Sequence, residues 1–378
     1  LAQQGLRFNL NKKMKSLSIA ESQMLEIVKA ISVNAKIILM DEPTSSLTEK
    51  EVKFLFGKIR ELRASGITVI YISHKMEEIF QVGDTITVLR DGEHIATLPA
   101  AETSIPDVIE MMVGRKMVEV YPERKATIGG VVFKVENFSR RGVFSDISFE
   151  LRSGEILGVA GLIGAGRTEI ARSVIGMDPK DTGDVYVYGK KANIRTVNDA
   201  IKHGIVLVPE DRRRQGLNLI GTVADNISLV SLQHVFASPI LKRRGIQELV
   251  GRMVAELRIR APSQQTRLQK LSGGNQQKTV LGKWLSVKPK ILILDEPTRG
   301  IDVGTKYEIY KLMRSICEQG YAIILIDSDL EELIGMSDRV IVIRQGAIAG
   351  ELAREEISAS AVMRLAALGG GGREQQPA

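Results

Sequence analysis

The stretch EILGVAGLIGAGRTEIARSV, residues 155–174, runs an apolar strand straight into a glycine-rich turn and then into a helical pattern. Within it, Gly161-Leu162-Ile163-Gly164-Ala165-Gly166-Arg167-Thr168-Glu169 follows the phosphate-loop pattern G-x-x-x-x-G-K-[ST], except that Arg167 replaces the lysine. Glycines let backbone N–H groups turn inward around phosphate oxygens, and the helix that follows adds partial positive charge. Gly161, Gly164, Ala165, Gly166, Arg167, Thr168 and Glu169 are therefore candidate nucleotide-binding residues, with the Thr168 hydroxyl placed to ligate Mg²⁺. Arginine keeps the charge, but its planar fork is bulkier than an ammonium, so the geometry at a terminal phosphate should differ. Taken alone, the same residues also fit a strand–helix turn that binds nothing.

Two acidic motifs favour the chemical reading. The short apolar strands at 37–39 and 291–294 lead into Asp41-Glu42-Pro43-Thr44 and Asp295-Glu296-Pro297-Thr298. An acid at such a strand end faces the crevice at the carboxyl edge of an α/β sheet. Asp41 and Asp295 can hold the hydration shell of Mg²⁺, while Glu42 and Glu296 can orient or deprotonate an attacking water. An acid ahead of a proline-started helix also makes a good cap. Its occurrence twice, once beside a phosphate loop, argues for the chemistry.

The two motifs belong to an internal repeat. Residues 17–96 align without a gap on 271–350 at an offset of 254, and about 22 of the 80 positions are identical. Gly66 meets Gly320, Glu77-Glu78 meets Glu331-Glu332, and Asp84 and Gly92 meet Asp338 and Gly346. The period is far longer than the ~20–50 residues of repeat arrays, so these are two copies of one domain. Alternating apolar strands and helical segments in each copy predict an α/β fold with a mostly parallel sheet. The expected organisation is residues 1–97 as the C-terminal part of a first domain, 98–130 as a proline- and glycine-marked linker, 131–368 as a second domain and 369–378 as a flexible tail. The second copy starts at the strand-like VVFKVENF of 131–138, so its first-copy counterpart would begin about 123 residues before Leu1. That predicts a truncated chain whose parent has roughly 500 residues, with domains of ordinary size.

Composition narrows the class. The 378 residues carry 52 Lys and Arg against 45 Asp and Glu, a formal charge of +7, with 44% apolar and 26% charged residues. This is ordinary globular composition, neither disordered nor collagen-like. No uninterrupted apolar run reaches the ~18–20 residues of a spanning helix. The single cysteine, Cys317, excludes an internal disulfide and fits a reducing compartment. His94, His203 and His234 lack metal-ligand spacing. Aromatic residues make up 4%, leaving little stacking surface for nucleic acid. The basic runs Arg212–Arg214 and Lys242–Arg244 fit a solvated face or a protein contact.

Leu271-Ser272-Gly273-Gly274-Asn275-Gln276-Gln277-Lys278 opens an amphipathic segment, and its bare glycines expose helix N-terminal amides for an anion. These residues, about 25 positions ahead of the second acidic motif and downstream of the phosphate loop, resemble the signature of ABC ATPases. More narrowly, Gly164–Glu169, Pro209–Arg212, Leu271–Lys278, Asp295–Asp302 and the MVGR of 112–115 resemble the ATP-binding subunits of bacterial monosaccharide importers of the ribose/galactose/xylose type. The resemblance covers essentially the whole chain. It implies tandem ABC-type nucleotide-binding domains that bind ATP and Mg²⁺ and act as an ATPase coupled to transport. It also implies transmembrane permease subunits as partners, a periplasmic sugar-binding protein as an indirect one, no nucleic acid, and a peripheral place on the cytoplasmic face of the inner membrane. The competing expectation is a soluble twin-domain ABC ATPase of the translation- or DNA-associated type. Such relatives carry long, highly charged linkers and intact phosphate loops, unlike residues 97–130 and Arg167.

In that family the two domains pair head-to-tail, each phosphate loop facing the other domain's signature. By resemblance, one site takes Asp41, Glu42 and the switch histidine His74 from copy one, against Ser272, Gly273, Gly274 and Gln276 from copy two. The other takes the Gly161–Thr168 loop, Glu210 in place of a glutamine, Asp295, Glu296 and Ser328 in place of the histidine, against Ser18 and the altered signature Ile19-Ala20-Glu21. Glu210 joins Thr168, Asp295 and Asp41 among the candidate metal-site residues, and Phe138 is the candidate adenine contact, with a place in the core as its alternative. The altered groups predict that the second site binds nucleotide but hydrolyses it slowly, whereas every visible residue of the first is of the consensus type.

Overall fold

The computed structural model describes residues 13–368 apart from 15, 16, 18, 33, 34, 45, 46, 48, 74, 91, 114–120, 163 and 235–242. The candidates Ser18 and His74, the MVGR residues Gly114 and Arg115, Lys242 and the tail thus lie outside the described residues. The chain divides into two compact units, residues 1–118 and 119–378.

The first unit contains α1 (Ile19–Ser32), β1 (Ile37–Asp41), α2 (Glu49–Ala64), β2 (Thr68–Ile72), α3 (Met76–Val82), β3 (Thr85–Arg90), β4 (Glu93–Pro99) and α4 (Ile105–Val113). Strands β1 and β2 pair in parallel, and β3 and β4 form an antiparallel pair. Leu55, Phe56, Ile59 and Leu62 recur at helical spacing on α2 and pack on Ile38 and Met40 of β1. The alternate residues Ile37, Leu39, Ile70 and Ile72 remain 44–64% exposed.

The second unit contains β5 (Val131–Arg140), β6 (Phe144–Arg152), β7 (Ile156–Ala160), α5 (Arg167–Val174), β8 (Thr182–Val187), β9 (Lys190–Ala192), α6 (Val197–Lys202) and β10 (Ile205–Val208). It continues with α7 (Val223–His234), α8 (Arg243–Glu256), α9 (Gly273–Leu285), β11 (Ile291–Asp295), α10 (Val303–Glu318) and β12 (Ala322–Ile326). Last come α11 (Leu330–Met336), β13 (Arg339–Arg344), β14 (Ala347–Ala353) and α12 (Ala359–Leu368). One sheet has the order β10-β11-β12-β7-β13-β14, parallel except for the antiparallel edge strand β14. A second, antiparallel sheet has the order β6-β5-β8-β9.

Successive side chains of a strand point to opposite faces, and the core follows that rule. Leu292 and Leu294 of β11, with Ile323 and Leu325 of β12, pack on the helical side with Val280, Leu281, Ile309 and Met313. Ile291, Ile293, Ile324 and Ile326 pack on the other side with α5 and the antiparallel sheet, and are 0–4% exposed. They are the register partners of the four exposed residues of the first unit. No counterpart of β5–β10 occurs among the described residues of that unit.

The repeat extends further than identity indicates. Elements β1 to α4 match β11 to α12 in order at the same offset of 254, including a 3₁₀ turn at Ala100–Glu102 and at Arg354–Glu356. The expected boundary at 97 is therefore too early, and residues 98–113 complete the first copy. Val108 on α4 packs among Met76, Ile86 and Val88, so the hydropathy pattern kept the fold where identity had faded. In the second unit, Tyr121 packs on Tyr310 with ring centroids 5.3 Å apart, and Arg124 pairs with Asp338 at 3.6 Å.

Candidate active site

The carboxyl ends of β7, β11 and β12 converge on one cleft of about 570 Å³ in the second unit. Its walls are the phosphate loop from Gly164 to Glu169, Glu210, Asp295 and Glu296, Thr298 to Gly300, and Asp327 to Asp329. The loop's glycines are required by its backbone. Gly161 has φ +153° and lies so near the Ile343 carbonyl that a Cβ would stand 2.5 Å from that oxygen, and Gly166, with φ +102°, caps α5 in the left-handed region.

The Thr168 hydroxyl donates to Asp295 Oδ2 at 2.9 Å, joining the first helical turn to the end of β11. Asp295 is only 2% exposed, and burial pushes its carboxyl up to about 6 against the opposing effects of the Thr168 hydroxyl and Arg167. The neighbouring Glu296 is also raised, by burial first, while its Oε2 accepts from the Ser328 hydroxyl at 3.0 Å. Arg167 reaches across the loop: its Nη1 donates to the Asp327 carbonyl at 2.7 Å. Glu169, also at the cleft, is exposed in the first turn of α5, and Ala165 is buried beneath the loop. Glu210 pairs with Arg299, and Arg212 donates to the carbonyls of Arg299 and Gly300 at 2.6 and 3.0 Å.

The signature residues lie at the N-terminus of α9, outside the cleft lining. Ser272 is exposed, and a Cβ at Gly273 would meet Arg212 Nη2 at 2.8 Å. Gly274 is needed for packing, since a Cβ there would lie 2.3 Å from Thr305 Cγ2. Two expectations need correction. Gln276 is buried, its Nε2 donating to the carbonyls of Leu268 and Leu271 at 3.0 and 3.2 Å, so it braces the preceding turn and presents no side chain to a ligand. Phe138 is fully buried, stacked on Phe144 at 5.6 Å with ring planes 10° apart, so it offers no face to an adenine and is a core residue.

In the first unit Asp41 ends β1 and Glu42 follows it, as Asp295 ends β11 and Glu296 follows. Glu42 and Glu296 share an unusual backbone, with φ +48° and +49°, and their N–H groups donate to Ile72 and Ile326 carbonyls, both at 2.9 Å. Such a left-handed conformation costs a non-glycine residue about 1–2 kcal/mol. Sequence reasoning missed Asp327, a buried carboxyl raised well above its ordinary value by burial and by Glu332 and Glu296. It occupies the register position of Ser73, so comparison of the two copies gave no signal for an acid.

Residues 144–299, which include the phosphate loop and the second acidic motif, match the family model described as ABC transporter. Across 362 residues the chain is 46% identical to the ribose import ATP-binding protein RbsA of Bacillus licheniformis, covering 96% of this chain and 73% of that protein. This chain belongs to the family of ABC sugar-import ATP-binding proteins. A second relative, the putative ribose/galactose/methyl galactoside import ATP-binding protein 1 of Rhizobium etli, is 49% identical over 362 residues, 96% of this family member and 69% of the relative. Among solved structures, the ABC fold is shared with the ADP conformation of MJ1267, an ATP-binding cassette of an ABC transporter, with a TM-score of 0.53 and 19% identity over 63% of this chain and 95% of that one. It is shared as well with cbiO1 of Clostridium perfringens, with a TM-score of 0.53 and 22% identity over 63% and 96%.

Proposed function

We propose that the chain binds and hydrolyses ATP and that this turnover drives import of a simple sugar through membrane-embedded permease subunits. The observation that carries the reading is the meeting of the phosphate loop, the Thr168–Asp295 pair and the Ser328-held Glu296 in one cleft. Relatives named as ribose and galactose import ATP-binding proteins supply the substrate class.

Thr168 and Asp295 would hold Mg²⁺, since a hydroxyl and a carboxylate 2.9 Å apart are the hard oxygen donors that cation takes, and when bound it would offset phosphate charge. The amides of residues 164–168 and the Arg167 fork would take phosphate oxygens. Glu296, with its carboxyl raised, accepts a proton more readily than an ordinary glutamate and is aimed by Ser328. Asp41, Glu42 and His74 of copy one, Ser272, Gly273 and Gly274 of the signature, and Ser18 are further nucleotide-site residues on this reading. Glu210, held by Arg299, lines the same cleft and would be a further oxygen donor to the cation.

The Arg167 site binds ATP and turns it over slowly, because arginine, serine and glutamate stand where lysine, histidine and glutamine are usual. The assembly sits on the cytoplasmic face of the membrane and receives sugar from a periplasmic binding protein, with nucleic acid playing no part. No helix among the described residues is long and apolar enough to cross a membrane.

Titration with a fluorescent ATP analogue, beside phosphate release, tests the reading. Saturable Mg²⁺-dependent binding that is weakened by Asp295→Asn is expected. An N-terminal extension that gives copy one a phosphate loop should raise turnover, and Glu42→Gln should then cost more of it than Glu296→Gln. Absence of binding would sink the ATPase reading; the reverse ranking would sink the division of labour. Co-purification with a polytopic permease supports transport, whereas co-purification with ribosomes supports the competing class.

A further inference from the structure

We infer that Glu332, and Glu78 in the first copy, is a positioning residue that clamps the loop after the strand-end acids and so holds the catalytic glutamate in its left-handed backbone. The inference rests on the proposal that Glu296 and Glu42 act on the attacking water.

The Glu77-Glu78 and Glu331-Glu332 pairs stand out in the repeat, yet the cleft chemistry leaves them unused. In the structure the second member of each pair is a buried hub. Thr44 lies two residues after Glu42, and its hydroxyl donates to Glu78 Oε2 at 2.6 Å. Thr298, two residues after Glu296, donates its hydroxyl to Glu332 Oε2. All four side chains are buried, with exposures of 1–8%. Each carboxylate also takes an ammonium and has a tyrosine for a neighbour. Glu78 receives Lys75 at 3.0 Å and the Tyr71 hydroxyl at 2.7 Å. Glu332 receives Lys306, and the buried Tyr310 lies within its electrostatic reach.

The two hubs draw these extra neighbours from different elements. Tyr71 and Lys75 come from β2 and the start of α3, whereas Tyr310 and Lys306 both come from α10. The register partners of Tyr71 and Lys75 are Leu325 and Asp329, and those of Tyr310 and Lys306 are Phe56 and Val52. These neighbours have moved, while the carboxylate, the threonine and the left-handed glutamate have not. A carboxylate that accepts from both a hydroxyl and an ammonium is held rigidly in place. Glu332 lies in the first turn of α11, which follows Ser328, so one side chain ties the Glu296 loop to the segment whose hydroxyl aims Glu296. A backbone that L-residues disfavour persists only where its surroundings over-determine it. The Glu296 N–H bond to Ile326 supplies one constraint, and the Thr298–Glu332 clamp supplies the other.

The test uses the whole chain with Thr298→Val, which keeps the shape and loses the donor, and Thr298→Ser, which keeps the donor. Glu332→Gln is the second variant. Hydrogen exchange read by mass spectrometry should show the peptide around 294–299 losing about tenfold protection in Thr298→Val and Glu332→Gln. The β12 peptide at 322–326 should not change, and Thr298→Ser should stay near wild type. Steady-state ATP turnover should show kcat falling about tenfold with KM within about twofold, since the phosphate loop is untouched. Unchanged protection at 294–299, or an equal loss in β12, overturns the clamp. Equal changes in kcat and KM overturn its positioning role. The exchange measurement stands without turnover, so failure of the ATPase reading is distinguishable from failure of the clamp.

Discussion

Asp295 carries a carboxyl at 2% exposure whose proton affinity is raised to about 6 from its ordinary 3.8, chiefly by burial. Replacing it with asparagine keeps an oxygen that can accept from Thr168 and removes the buried charge. The folded state binds this proton more tightly than the unfolded chain, so the ionised form opposes folding. That cost is absent below about pH 4, grows between about pH 4 and 6, and is full above. At 1.36 kcal/mol per tenfold in proton affinity, the rise makes it about 3 kcal/mol at neutral pH, an upper value because the amide must also be desolvated. Urea unfolding of the 119–378 unit should therefore show Asp295→Asn more stable than wild type by about 2–3 kcal/mol at pH 7.5, with the gain shrinking by about half at pH 5. Saturating Mg-ATP should reverse the ranking, because a ligand stabilises only the protein that binds it and Asp295 is needed for that binding. An asparagine variant no more stable at pH 7.5, or one whose gain ignores pH, would refute the assignment of an unfavourable buried charge.

Arg167→Ala removes both the loop's cation and its bond to the Asp327 carbonyl, and should weaken binding of a fluorescent ATP analogue by at least about tenfold; unchanged affinity would show that the arginine has left the phosphate role. Gly274→Ala places a methyl against Thr305 and should cost about 1–3 kcal/mol in thermal or urea unfolding, whether or not nucleotide is present. Phe138→Leu opens space beside Phe144 and should cost roughly 1–2 kcal/mol of stability while leaving nucleotide affinity within about twofold, the reverse of what an adenine contact would show.

What could be read from the sequence was set by how local its cause is. The strands ending in Asp41 and Asp295 are short apolar runs followed by Pro and Thr, and their place at a carboxyl sheet edge follows from strand–helix alternation alone. The phosphate loop was legible because its glycines answer to backbone sterics within a few residues. The directions of Gln276 and Phe138 were not, because each depends on what folds over it: two carbonyls of the preceding turn in one case, the Phe144 ring in the other. The end of the first copy was misplaced for a related reason. Helix α4 keeps its packing on Met76, Ile86 and Val88 through apolar spacing, which an identity count does not weigh.

The pattern of drift between the copies bears on what the Arg167 site does. The groups that would touch nucleotide have changed, with arginine at 167, serine at 328 and glutamate at 210, and the first copy's counterpart of the signature reads Ser18-Ile19-Ala20-Glu21. The groups that aim the glutamate have been kept: the left-handed Glu296, its bond to Ile326, Thr298 and the buried Glu332. Had the site lost all use for a placed acid, the hub would be the first thing to relax, because a buried carboxylate is costly without every one of its donors. It has instead gained an ammonium from α10, Lys306, where the first copy uses Lys75 ahead of α3. A site with weakened cleavage but a preserved acid geometry is suited to binding and closing on ATP while the other site turns over. On that argument Glu332→Gln should disturb closure at the Arg167 site as much as Glu78→Gln disturbs turnover at the first. Cross-linking across the paired domains in ATP would report the former and phosphate release the latter, and closure that ignores Glu332→Gln would separate the hub from the nucleotide cycle.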